Sequence, residues 1–266
     1  MAMIKSQTKL TFIIKKKRKV NRTKNVVQLK LDYFSIDKRD LYGFYLTNKT
    51  TKNNIMELPD IGCFVDIVPD FIALESEPGL FRLTNNTCVA WFKDDSIFDT
   101  IDGLYNAIIY KDIELLKYYK DRYKNVKFFI PPDYSLYGDF DEAVILNNLR
   151  KQLIVSLWLI FELDAIVIPL ATYANVESLE WCFNHIMVNS NVAVSLKGIM
   201  NEPNRSLFIK ALKKLIDARH PKSIIVYSVS KIKSTEEMLE YAYANDIPVY
   251  IIDNTLLKRN GGVING

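Results

Sequence analysis

Histidine is nearly absent from this chain: two of 266 residues, His185 and His220. That scarcity excludes a histidine-rich zinc centre. Cysteine is also rare. Cys63, Cys88 and Cys182 are odd in number and lack metal-type spacing, so they read as reduced core thiols of a cytoplasmic protein. Only nine glycines are present, and Gly261-Gly262 falls in the C-terminal tail. No G-x-G-x-x-G, Walker loop, G-x-S-x-G or H-E-x-x-H occurs, which removes the common nucleotide-cradling, hydrolase and zinc-protease signatures. Long apolar runs are missing too. Leu153–Phe161, broken only by Ser156, is too short on its own to cross a bilayer, and the basic N-terminal stretch lacks the apolar core of a secretory signal.

Charge is abundant and unevenly spread. Residues 1–55 hold fourteen Lys and Arg against three Asp and no Glu, a net +11, so the rest of the chain carries −7 of the overall +4. The expected organisation is a basic arm over residues 1–55 and an α/β domain over 56–266, with the polar stretch Asn48–Asn54 between them. Lys15, Lys16, Lys17, Arg18, Lys19 and Arg22 form the densest basic cluster and are the candidate contacts to DNA or RNA phosphates. A solvated, solubilising tail is the competing reading. Val26–Phe34 and Tyr42–Leu46 have strand-like patterns within the arm region.

From residue 58 onward the pattern becomes β/α. Apolar strands are expected near 87–92, 126–130, 165–170, 191–196, 223–229 and 247–252, with one or two more in 61–75. Helical patterns lie near 103–123, 140–163, 176–186, 204–219 and 234–245. The strands are continuously apolar, as in Ala165–Leu170 and Ser223–Tyr227, which marks burial on both faces and therefore a mainly parallel sheet covered by helices. The expected fold is a TIM-like barrel, complete or incomplete, with an open doubly wound sheet as the alternative. Expected caps are Asp139 or Asp141, Asn204, and Ser234-Thr-Glu-Glu237 as a capping box.

Either fold puts ligands at the C-terminal strand ends. There the chain places Asp94, Asp95, Asp133, Ser135 and Lys197. Carboxylates near a lysine can serve as general base and electrophile, and Asp94, Asp95 and Asp133 could instead hold a divalent cation through oxygen ligands. Each Asp could equally fix a turn, Lys197 could be a plain loop lysine, and His185 reads as a cap or surface residue.

The segment Pro132-Asp-Tyr-Ser-Leu-Tyr-Gly-Asp139 resembles the hallmark of a bacterial and phage or mobile-element family of unknown function. Leu58–Phe64, Ser76–Gly79, Gly103–Asn106, Val155–Trp158 and Val192–Ser195 extend the resemblance from about residue 57 to the end. Many relatives carry Trp and a nearby Asp after the Ile-Pro strand, where this chain has Tyr173 and Asn175. The resemblance implies a shared domain and no particular activity. Two functions follow as expectations: a nucleic-acid-associated accessory role through the arm, or a metal-assisted enzyme acting on a phosphorylated or nucleic-acid substrate.

Overall fold

A strand with apolar residues on both faces needs cover on both sides, and the computed structural model supplies it. It describes residues 60–199, 201–228 and 232–253. The expected basic contacts Lys15–Arg22 and the strand-like segments before residue 60 lie outside the described residues. Among the described residues, seven parallel strands form two sheets. The first has β1 (Phe71–Leu74), β2 (Thr87–Ala90), β3 (Phe128–Ile130) and β4 (Ile166–Val167) in sequence order. The second has β5 (Asn191–Ser195), β6 (Ser223–Ser228) and β7 (Val249–Asp253), also in order. A single parallel bridge, Leu170 to Ala193, joins the extension of β4 to β5, and β7 lies against β1.

Side chains alternate between the two faces of a strand, and here the alternation separates two environments. Ile72, Ala90, Ile130, Ile168, Ala193, Ile225 and Ile252, one from each strand or its extension, share one dry cluster. The rings of Phe92 and Tyr227 stack within it at 4.4 Å, so the ends of β2 and β6 meet face to face although they belong to different sheets. The opposite faces pack outward against helices. The α/β class with parallel sheets and covering helices is therefore the one the uninterrupted apolar strands indicate.

Helix boundaries differ from the sequence pattern where local hydrogen bonds intervene. The pattern over 103–123 divides into α2 (Leu104–Ile109) and α3 (Ile113–Tyr123), following the short α1 (Asp95–Phe98). Lys111 adopts a left-handed φ of 57°, and the Asp112 carboxylate accepts the N–H of Leu115 at 3.0 Å to start a new helix. The long helix α4 (Glu142–Leu163) has Asp141 as its N-cap, with no side-chain capping bond. It is long and apolar enough to cross a membrane by length and composition, which the shorter run Leu153–Phe161 did not suggest. Yet 61% of its most apolar window is buried within the protein, so its apolarity is accounted for by packing on the strands.

Segment 176–186 forms no α-helix. Glu177–Glu180 is a single 3-10 turn, locked because Ser178 Oγ accepts the N–H groups of Ala174 and Asn175 while Asn175 Oδ1 accepts that of Ser178. Asn204 is the first residue of α5 (Asn204–Arg219), not its cap; that place belongs to Pro203. The expected capping box is also displaced. Helix α6 (Ile232–Glu237) begins before Ser234, and the buried Thr235 hydroxyl pairs instead with that of Ser228 at 2.9 Å. A short α7 (Glu240–Ala244) completes the set and leads to β7.

Candidate functional site at the C-terminal strand ends

Each candidate residue leaves the end of a parallel strand, and the first question is which of them local structure already occupies. Asp94 follows β2 and caps α1. Its carboxylate accepts the backbone N–H of Ser96 at 3.0 Å and the Ser96 hydroxyl at 2.7 Å. These bonds, with a smaller contribution from Lys197, hold its carboxyl below the usual range. Asp94 is thus an N-cap first.

Asp95 is also committed. The Ser135 N–H donates to both of its oxygens, at 3.2 and 3.0 Å. Burial raises its pKa, and the Ser135 bonds oppose that rise. Ser135 in turn gives its carbonyl to Asn148 Nδ2 at 2.8 Å. With its amide and carbonyl both engaged, Ser135 anchors the loop between Asp95 and α4.

Asp133 is different. It stands between Pro132 and Tyr134, half-buried, and its carboxyl makes no hydrogen bond to any described residue. Burial pushes its pKa up to about 7; the charge of Asp95 adds to the rise and Lys197 opposes it. Its backbone is gripped from behind. One turn apart on α4, Asn148 and Gln152 donate to the carbonyls of Ser135 and Pro132, the latter at 3.2 Å, while Asp95 takes the Ser135 N–H from the other side. Asn148 and Gln152 were not among the residues singled out from sequence. Their only signal was a pair of carboxamides spaced i, i+4 in the polar stretch of the helix before its long apolar run.

Lys197 comes from the end of β5. Gly198, with φ +76°, turns the chain immediately after it. The exposed Lys197 side chain reaches the end of β2, where its ammonium donates to the Phe92 carbonyl at 3.1 Å. Its charge acts on both Asp94 and Asp133. Tyr173, after β4, is pushed well above the ordinary phenol range by burial and then by the Asp133 charge. The structure therefore brings Asp94, Asp95, Asp133, Ser135 and Lys197 to one end of the strands, with Tyr173 beside them.

Metal chemistry fits this arrangement poorly. Among the described residues no three His, Cys, Asp or Glu side chains gather as a metal site. Asp94 and Asp95 are instead each held by a serine, Ser96 and Ser135 respectively. His185 stands apart as well. It is fully buried just before β5, at the opposite ends of the strands, and is neither a cap nor a surface group. Neither ring nitrogen has a hydrogen-bonding side-chain partner, and burial lowers its pKa to about 4. The three cysteines are free and buried.

A family model described as a domain of unknown function (DUF4417) matches residues 51–244. The chain belongs to this family. The matched span contains all five candidate residues and α4, and it leaves out the cluster Lys15–Arg22. Among curated proteins, the Gene 1 protein of Mycobacterium phage L5 is 28% identical over 175 residues, covering 64% of this chain and 70% of the phage protein. The Gene 1 protein of Mycobacterium phage D29 is 28% identical over 100 residues, covering 37% of this chain and 36% of its own length. The chain is thus similar to phage proteins over much of its length. No solved structure matches.

Proposed function

We propose that this DUF4417 chain is a phage-type acid–base enzyme whose seven strands close into a TIM-like barrel, with its site at the C-terminal mouth. Closure is supported by the bridge from Leu170 to Ala193, by the approach of β7 to β1, and by the interior cluster fed from all seven strands. The observation that carries the catalytic reading is Asp133: a half-buried carboxyl with no hydrogen bond among the described residues, its pKa pushed up to about 7, within reach of the Lys197 charge. A group that gains and loses a proton near neutrality is suited to proton transfer, and Lys197 supplies positive charge for a developing anion. The substrate class is phosphorylated, including nucleic acid.

The test is turnover of phosphomonoesters and of end-labelled oligonucleotides by the full chain. Asp133→Asn is expected to lower the rate at least ~100-fold while the folded state persists. Full activity in that variant sinks the reading.

A second reading is favoured by charge. Residues 1–55 carry +11 while the remainder carries −7, which favours the arm as the part that attracts a polyanion. In this reading the protein is a non-catalytic accessory that grips DNA or RNA through Lys15, Lys16, Lys17, Arg18, Lys19 and Arg22. Binding would then weaken steeply with salt and disappear on deletion of residues 1–25. Equal binding by the deletion variant overturns it.

A further inference from the structure

Thr172 has a buried hydroxyl with no hydrogen-bond partner among the described residues. Burying a hydroxyl unpaired is costly, and such groups in native proteins call for an explanation. The residue's position supplies one. Along β4 and its extension, Ile166, Ile168 and Leu170 belong to the shared interior cluster, whereas Ala171 belongs to the outer layer. Continuing that alternation places Thr172 on the interior side, one layer beyond Leu170 toward the C-terminal mouth.

The register then gives it a neighbour. Leu170 pairs in parallel with Ala193, with Ala171 N–H bonded to the Ala193 carbonyl at 2.9 Å. Carried two residues further along each strand, that register would set Thr172 beside Ser195 on the same face. Ser195 itself pairs with Tyr227, the ring that stacks on Phe92. The Ser195 oxygen accepts the Lys197 N–H at 3.3 Å, which leaves the hydroxyl proton free to donate. Lys197 closes the group: its ammonium spends one proton on the Phe92 carbonyl and retains two.

Two hydroxyl donors and an ammonium along one arc of the mouth match an oxyanion. We propose that Thr172, Ser195 and Lys197 form an oxyanion subsite that holds a phosphate group of the substrate next to Asp133, which leaves the neighbouring strand β3. The assignment rests on the acid–base reading of the same mouth and names what binds beside its acid. Asp94 and Asp95 are hydrogen-bonded to Ser96 and Ser135, and Lys197 is the cation that offsets their charge at this end of the strands. A bound phosphate would also favour the protonated form of Asp133, the form able to donate to a leaving group.

The experiment is titration of the full chain with inorganic phosphate, followed by phosphorus NMR, on wild type, Thr172→Val, Thr172→Ser, Ser195→Ala and Asp133→Asn. Saturable binding is expected for wild type. Loss of either hydroxyl should weaken it about fivefold to tenfold, Thr172→Ser should restore it, and Asp133→Asn should still bind. Without phosphate, Thr172→Val should melt no lower than wild type, since it removes an unpaired buried hydroxyl. Trinucleotides with 5′-phosphate or 5′-hydroxyl ends separate the two sources: preference for the former assigns a terminal phosphate, and equal binding an internal diester. The proposal is overturned by wild-type affinity in Thr172→Val, by a lower melting temperature of that variant, or by no saturable phosphate binding in wild type. Retained turnover in Asp133→Asn would instead remove the acid–base role and leave the subsite standing.

Discussion

Asp95 receives one backbone N–H, that of Ser135, on both of its carboxylate oxygens, at 3.2 and 3.0 Å. The contact ties the end of β2 to the loop after β3 and places a negative charge where it raises the pKa of Asp133. Removing the charge while keeping the shape, Asp95→Asn, should therefore lower the Asp133 pKa from about 7 toward the ordinary carboxyl value. A carbon-13 NMR titration of the Asp carboxyls reads this directly, and an unmoved Asp133 resonance would show that burial alone sets its pKa. The lost charge-assisted bond should cost about 1–3 kcal/mol in stability.

Asp133 also sets a sign for pH dependence. Its folded pKa, about 7, lies above the ordinary carboxyl value of 3.8, so between these the folded state binds more protons than the unfolded one. Stability from this group is present below about pH 4 and is lost as pH rises through 7. His185 works in the opposite direction. Its pKa is lowered from 6.5 to about 4, so its contribution is lost as pH falls through that window. The two slopes oppose each other in wild type. Asp133→Asn should gain stability over wild type above pH 7, by roughly 1–4 kcal/mol, and should show a steeper loss below pH 6. Denaturant unfolding of both proteins from pH 4 to 8 checks it; parallel curves would contradict the assignment.

Asn148 and Gln152 hold the Asp133 loop by its carbonyls, so they act on the site without touching a substrate. Asn148→Ala should cost about 1 kcal/mol and speed hydrogen exchange at the Ser135 amide, since the loop loses one of its anchors. Unchanged exchange at Ser135 would mean that Asp95 alone fixes the loop.

Phe92 and Tyr227 stack at 4.4 Å across the interior from strands in different sheets. A double-mutant cycle with Phe92→Leu and Tyr227→Leu should give a coupling of about 0.5–1.5 kcal/mol. Additive effects would show that the two sheets do not clasp each other as described.

How much of this was legible in the sequence differs by feature. The strands were, because Ala165–Leu170 and Ser223–Tyr227 are apolar without alternation, and burial on both faces follows from that alone. The candidate residues were also legible, since a parallel sheet gathers its C-terminal ends. What the sequence hid is the local bonding. Asp112 restarts a helix and Asn175 with Ser178 forbids one, through side-chain contacts that periodicity does not encode. Asp94, Asp95 and Asp133 look alike as letters; only the partners Ser96 and Ser135 show that two of them are occupied. His185 misled because its helix-like surroundings are turns packed beneath the strands, where it is buried.

The junction between the two sheets has a mechanical consequence. Beyond the packing of its side chains, it is sewn by two backbone hydrogen bonds, Ala193 N–H to the Pro169 carbonyl and Ala171 N–H to the Ala193 carbonyl. Pro169 has no N–H to add to the ladder. Thr172 and Ser195 stand on opposite sides of that junction. A ligand held by both would act as a stitch across this short stretch of the backbone ladder, so occupancy and the cohesion of the β4–β5 junction would rise and fall together.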